Sequence, residues 1–380
     1  MTEPVAGATT ERVARAALSR LGEPGDVRLS TLVEQLGANQ VFDLLRNEQD
    51  LAGVHTDVAA RLRGLDPERD LEQAAKAGIR FICPEDDEWP AALDDLNRAE
   101  PLQGRGGTPV GLWAKGPMRL GEAAARAVAV VGSRSATSYG AGVASDLGAH
   151  LAGQDVCVVS GAAFGIDQAA HRGALAARGP TVAVLACGVD RAYPSAHKNL
   201  LDYIGDVGLV VSELPPGCAP TRWRFLSRNR VIAALAQGTV VVEAAVRSGA
   251  LNTASWAARL HRVLMGVPGP VTSAPSEGVH ELIRCRDAAL VTKGADVLEL
   301  VSPAGSFVTA EARGPESPRD RLSAREQRVL DAVPVATHAG GTSIARAAGL
   351  SEADVLDVLA RMRVKGFVEE VDDRWRLARE

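Results

Sequence analysis

Between residues 111 and 301 the chain repeats one pattern: a short unbroken apolar run rich in Val, then an Ala-rich stretch with helical spacing. The runs AVAVVG, VCVVSG, TVAVLACG, GLVVSEL, GTVVVEA and RVLMGVPG show no polar alternation. A strand with one wet face alternates, whereas a strand covered on both faces is apolar throughout. YGAGVASDLGAHLAG, GIDQAAHRGALAA, SRNRVIAALA and LNTASWAARL fall between the runs and suit crossover helices. Right-handed βαβ crossovers then predict an α/β fold, a doubly wound, mostly parallel sheet with its loops gathered at the strand C-terminal edge. A final pair of runs, AALVT and ADVLELV, is expected to complete the sheet near Val301.

The chain of 380 residues leaves room for further domains on either side. In residues 1–110, ARAALSRL, STLVEQL, NQVFDLL and LEQAAKAG carry apolar residues at three- and four-residue spacing and predict a small helical domain. Its Gly- and Pro-rich end, EPLQGRGGTP, reads as a linker to a sheet domain over 111–301. Residues 302–320 read as a second linker. In 321–380, SAREQRVLDAV, TSIARAAGL and SEADVLDVLARMRVKG predict three helices, the last two with Thr or Ser N-caps and a closing Gly. FVEEVDDRWRLA then reads as two strands joined at Asp372–Asp373, the element order of a winged helix.

No apolar run approaches the ~18 residues of a membrane helix, so no membrane partner is expected. Five cysteines without a C-x-x-C pair suggest neither a disulfide framework nor a zinc site. Met1 to Arg12 lacks the pattern of a secretory signal, and a cytoplasmic location is the expectation.

Each strand end of the sheet region delivers small or polar residues to one edge: Gly132-Ser133-Arg134, Ser160-Gly161, Gly188, Ser212-Glu213, Glu243 and Pro268-Gly269. Such loops, followed by helix N-termini, suit an anion, and phosphate is the natural guest. The first loop, GSRSATSYG, is not G-x-G-x-x-G, and no acid closes the second strand, which disfavours NAD or FAD. Further along, RWRFLSRNR interleaves Arg222, Arg224, Arg228 and Arg230 with Trp223, Phe225 and Asn229 and contains no acid. Cations at a helix start oppose its dipole, so a bound anion or a nearby carboxylate is expected there, with Arg228 and Arg230 read as functional. Trp223 fits either a core or a binding role. Tyr193, His197 and Lys198 extend the same basic surface.

Asp167 reads as an early helix residue, and Glu213 and Glu243 as acids, bases or partners of Arg228 and Arg230. With no G-x-S-x-G, H-E-x-x-H, C-x-x-C or Walker loop, binding without a cofactor or metal is the better reading than catalysis.

In order along the chain, GSRSATSYG, SGAAFGIDQAAHRGAL, GVDRAYPSAHKNL, SELPPG, FLSRNRVIAALA, VVVEA, RSGALNT and VPGPVTS closely resemble the DprA family of DNA-processing proteins, also called Smf. The resemblance implies an extended Rossmann-like central fold and a homodimer that binds single-stranded DNA in natural transformation and helps load the RecA recombinase, with no established enzymatic activity. Carried onto matching positions, it implies a DNA site of Gly132, Ser133, Arg134, Gly161, Lys198, Arg228, Asn229 and Arg230. His197, Phe164, Leu226-Ser227 and the LIRCRDA stretch with Cys285 and Arg286 depart from the family pattern. Two rivals remain. A phosphoribohydrolase-type enzyme would use Glu243, although its Pro-Gly-Gly-x-Gly-Thr signature is absent. A DNA-binding regulator would act through the winged helix, although the presumptive recognition helix begins with the acidic SEADVLD.

The net charge of −5 gives no hint of a nucleic-acid partner, but it is unevenly spread. It divides into −8 for residues 1–110, +3 for 111–317 and zero for the remainder, and residues 213–262 carry seven basic and two acidic side chains. The cationic surface belongs to the sheet region.

Overall fold

A computed structural model describes residues 6–47, 61–62, 64–285, 288–307 and 316–378. Arg286 of the LIRCRDA stretch and the middle of the 302–320 segment lie outside the described residues. The chain divides into two compact units, Met1–Thr309 and Ala310–Glu380.

The first unit is built on a nine-stranded sheet: β1 (Ile79–Ile82), β2 (Leu112–Lys115), β3 (Ala127–Val131), β4 (Cys157–Ser160), β5 (Thr181–Val184), β6 (Leu209–Ser212), β7 (Gly238–Val241), β8 (Val263–Gly266) and β9 (Ala289–Leu290). Their spatial order is β1-β2-β6-β5-β4-β3-β7-β8-β9. The seven strands from β6 to β9 pair in parallel, and β2 and β1 add an antiparallel edge. The expected α/β, Rossmann-like fold is present, and all six apolar runs form strands of it.

The reason those runs are apolar throughout is visible in β3. Ala127, Ala129 and Val131 face a layer that includes Val231, Ile232 and Trp256. Val128 and Val130 face the opposite layer, with Ala144, Leu147 and Ala170. Alternate residues of one strand thus enter two different cores. Helices Ser138–Ala152 and Ile166–Ala176 cover one side, and Arg222–Ala234 and Ala250–Arg259 the other.

One expected strand is a helix. ADVLELV lies in Gly294–Val301, where Val297 and Leu298 pack under the sheet. Asp296 starts this helix by accepting hydrogen bonds from the backbone N–H of Thr292 and Lys293. A short apolar run does not by itself distinguish a buried strand from a buried helix turn.

The N-terminal helices Ala6–Leu21, Val27–Leu36, Ala38–Arg46 and Pro67–Lys76 belong to the same compact unit as the sheet. Trp113 of β2 joins the two, donating its indole N–H to Ser19 Oγ at 3.1 Å while its ring lies 4.9 Å from that of Phe81 in β1. The stretch EPLQGRGGTP is ordered. Leu102 and Arg105 exchange both backbone hydrogen bonds around a turn with Gln103 and Gly104 at φ 54° and 73°. Gly106 N–H then donates to Gly25 O.

The second unit holds helices Ala324–Ala332, Gly341–Ala348 and Glu352–Val364 and a three-stranded sheet: β10 (Ala339–Gly340), β11 (Val368–Val371) and β12 (Arg374–Leu377). The β11–β12 hairpin turns at Asp372 and Asp373, both at positive φ, where Asp is better tolerated than most residues. Ser323 and Ser351 cap the first and third helices. The middle one departs from expectation: Gly340 is its N-cap, and Thr342 lies inside it, donating through Oγ1 to Glu352. Among the described residues, no helix is long and apolar enough to cross a membrane.

Candidate nucleic-acid interface

Strand order reverses between β3 and β7, and in open α/β sheets ligands settle at the C-terminal end of such a switch point. Here that crevice is filled by the protein itself. Glu243, following β7, accepts from the backbone N–H of Thr137 at 2.9 Å and from its hydroxyl, at the start of the Ser138–Ala152 helix. Ser133 N–H donates to Glu243 O at 2.7 Å. A Cβ on Gly132 would come within 2.5 Å of Ile166, and one on Gly140 within 2.3 Å of the Glu243 carboxyl. The carboxylate therefore takes the helix-N-terminal place that a dinucleotide pyrophosphate occupies in a cofactor-binding relative of this fold. The Glu243 carboxylate is held by Thr137, and not by Arg228 or Arg230, while its backbone carbonyl accepts from Ser133.

One strand over, Arg228 is buried at the end of β4 and β5. Its Nη1 donates to Gly161 O at 2.8 Å and Val184 O at 2.7 Å, and its Nε to Asn229 Oδ1 at 3.2 Å. A Cβ on Gly161 would lie 2.0 Å from that Nη1, so this glycine makes room for the guanidinium. Burial pushes the Arg228 pKa down to about 10, with Asp167 opposing the shift. Burial likewise raises Asp167, against the pull of Arg228 and of the Gly161 and Ala163 N–H groups that donate to it. Asn229 donates to Gly249 O and Asn252 Oδ1, tying the helix to the loop after β7.

Arg230 is only 1% exposed. It forms a two-pronged pair with Glu213, at 2.5 and 2.7 Å, and its Nε donates to Gly106 O. Arg224 forms a second such pair with Glu23, both contacts at 2.9 Å, and Arg61 adds to the same carboxylate. Carboxylates therefore answer half of the cations at this helix start. Both come from outside the helix, and Glu23 is 201 residues away in the chain.

A different set of side chains faces outward. Arg134 is exposed and its guanidinium lies 4.8 Å from the centre of the Phe225 ring. Tyr193, also exposed, has its ring 5.5 Å from Phe225. Phe164, 45% exposed, meets His197 edge-on at 4.5 Å. His197 is itself buried, with Nδ1 donating to Ala162 O, and so supports Phe164 rather than forming basic surface. Lys198 is exposed at the start of the Lys198–Val207 helix and pairs with Asp202. Arg222 and Trp223 are exposed on the first turn of Arg222–Ala234.

The eight expected site residues thus split. Arg134 and Lys198 reach solvent, while Arg228, Asn229 and Arg230 are buried and hydrogen-bonded to the protein. Gly132, Ser133 and Gly161 hold adjacent loops together. The aromatic set of Phe164, Tyr193 and Phe225 is visible in the sequence only as separate residues, because two loops and a helix start bring it to one edge.

Comparison with known proteins accords with this geometry. The family model of DNA recombination-mediator protein A matches residues 80–302. A Mycobacterium tuberculosis chain named as a DNA processing protein DprA is 48% identical over 373 residues, covering 96% of this chain and 94% of that one. The structure of DNA processing protein A from Streptococcus pneumoniae superposes with a TM-score of 0.62 at 31% identity, covering 77% of this chain and 98% of the other. That of the Helicobacter pylori protein, described for its single-stranded DNA binding mode, has a TM-score of 0.50 at 27% identity and covers 58% of this chain and 94% of the other. The nine-stranded sheet, its loop edge and these matches together make the chain a member of the DNA recombination-mediator protein A family, the DprA and Smf proteins.

Proposed function

We propose that the loop edge of the sheet binds single-stranded DNA, in DNA processing during natural transformation. The observation that carries this reading is the cluster of exposed Arg134 and Tyr193 against the half-buried Phe225 ring, with Phe164 and Lys198 exposed on neighbouring elements. Aromatic faces stack bases of any sequence, and cations beside them follow the phosphate backbone. Duplex DNA hides its base faces and gains little from such a surface. The Helicobacter pylori relative, described as binding single strands, supports the same choice.

Arg134 and Lys198 contact phosphates directly in this reading. Gly132, Ser133, Gly161, Arg228, Asn229 and Arg230 shape and support the loops that present them. The protein acts in the cytoplasm as a homodimer, which links two grooves and raises avidity. It binds without catalysing a reaction and hands the strand to a RecA-type recombinase. The second compact unit, read as winged-helix-like, serves protein contact or regulation. Five of its cations, Arg325, Arg361, Arg363, Lys365 and Arg376, are paired with carboxylates of the same unit, which leaves less charge for a duplex.

Fluorescence anisotropy with single- and double-stranded oligonucleotides across a salt series tests the site. Single strands should bind more tightly, and Arg134→Ala should weaken them and lower the salt slope by about 1. Equal affinity for duplex, or an Arg134→Ala protein indistinguishable from wild type, counts against the assignment. Strand exchange by RecA on strands coated with a single-strand-binding protein tests loading: no stimulation by the protein removes that step.

A further inference from the structure

Trp223 takes no part in the cluster around Phe225. Two residues apart on a helix is about 200°, so the two rings stand on opposite flanks of the Arg222–Ala234 helix start. Trp223 is 57% exposed, whereas Trp113, Trp256 and Trp375 are buried. Its flank is built by the segment that precedes the parallel strands. The Arg105 guanidinium lies 5.9 Å from the Trp223 ring centre, and the Leu102–Arg105 turn that carries it is closed by two backbone hydrogen bonds. Gln103 in this turn holds a left-handed backbone at φ 54°, a conformation unfavourable for most side chains. Trp223, Arg105, Gln103, Arg28 and Asp26 line an open groove of about 420 Å³. That is ample for a nucleobase and its sugar.

Charge in the groove favours a polyanion that carries an aromatic base. The Asp26 carboxylate is held by Arg28 and that of Glu23 by Arg224, so the acids nearby are already neutralised. Arg222, exposed, stands at the helix start between the two flanks, where helix N–H groups also favour phosphate. A strand passing over Arg222 would therefore link the groove to the surface assigned above.

We infer that this groove is a second nucleobase subsite, in which one base of the single strand stacks on Trp223 beside Arg105 while the strand crosses the helix start to the Phe225 cluster. This rests on the single-strand reading. Its consequence is a role for the N-terminal segment: the Leu102–Arg105 turn makes part of the DNA path.

The test uses the full chain and a fluorescein-labelled oligothymidylate, with anisotropy and tryptophan emission read separately. Wild type should bind with quenching of tryptophan emission. Trp223→Ala should weaken binding about fivefold to a hundredfold, the range for loss of one stacked base, with an unchanged salt slope. Trp223→Phe should keep affinity within about threefold, because phenylalanine also stacks, yet lose most of the quenching. Arg105→Gln should lower the salt slope by about 1. An unaltered melting temperature in Trp223→Phe guards against misfolding. Wild-type affinity in Trp223→Ala, or full quenching in Trp223→Phe, overturns the subsite and leaves the Phe225 cluster standing. Failure of wild type to prefer the single strand overturns the parent reading and the subsite together.

Discussion

Arg230 and Arg134 are cations at the same sheet edge with opposite fates. Arg230 is enclosed, with Glu213 taking both prongs of its guanidinium and Gly106 O taking its Nε. Arg134 is exposed, with its guanidinium over the Phe225 ring. The difference teaches that a cluster of basic residues reports charge and not availability. A buried guanidinium needs a partner for its charge and its donors, and a partner found inside the protein withdraws it from ligands. The exposed one has solvent at its donors and an aromatic ring within cation–π reach.

The largest effect that separates them is on stability. Arg230→Ala removes one member of a buried pair and leaves the Glu213 carboxylate uncompensated, at a cost of about 3–5 kcal/mol. Arg134→Ala, on the surface, should stay within about 0.5 kcal/mol of wild type. Urea unfolding of the two variants measures this directly. Equal, small losses in both would show that the Arg230–Glu213 pair is not structural, and would return Arg230 to the list of direct DNA contacts.

The same contrast marks how far the sequence could be read. The six central strands were legible because covering both faces of a strand removes the polar alternation, as β3 shows with Val128 and Val131 in different cores. The antiparallel edge was not legible as part of this sheet. IRFI contains Arg80, which bonds outward to Glu88, and LWAK is short, so neither shows an unbroken apolar run. ADVLELV failed because its capping residues Thr292 and Asp296 carried the deciding signal, and not its hydrophobicity. At the site, the small-residue strand ends and the basic segment were legible. A carboxylate was expected near the helix start, but Glu23 could not be chosen for Arg224 without the fold. Burial, which composition does not encode, is what separates Arg228 and Arg230 from Arg134.

A smaller effect tests whether a buried group behind the site is held without a countercharge. Buried His171 donates through Nδ1 to Thr181 Oγ1 at 2.8 Å, since that hydroxyl spends its own proton on Val158 O. Its Nε2 has no hydrogen-bond partner among the described residues. Burial, with Arg228 and His197 adding to it, pushes its pKa down to about 3 from 6.5. The unfolded chain takes up this proton near 6.5 and the folded one only near 3, so stability is present above 6.5 and is lost as pH falls through that window. At pH 5 the loss is about 2 kcal/mol. His171→Asn, which does not titrate, should therefore show a smaller drop in unfolding free energy between neutral pH and pH 5. Asp167, raised by burial, acts in the opposite direction and is common to both proteins. Identical pH slopes would mean that His171 gains a proton without cost.

The smallest effect concerns the exposed side of the comparison. Lys198 is paired with Asp202 one helical turn on, at 2.5 Å, and both side chains are largely in solvent. Such an i,i+4 pair contributes only about 0.3–0.5 kcal/mol, and water and salt compete with it. A phosphate can therefore displace Asp202 from Lys198, whereas it cannot displace Glu213 from Arg230. Asp202→Asn should leave stability within about 0.5 kcal/mol and, by removing the competing charge, tighten single-strand binding about two- to threefold at low salt, with the gain vanishing at high salt. Lys198→Ala should do the reverse. An Asp202→Asn protein with unchanged affinity at low salt would place Lys198 off the strand's path and confine phosphate contact to the Arg134 side of the edge.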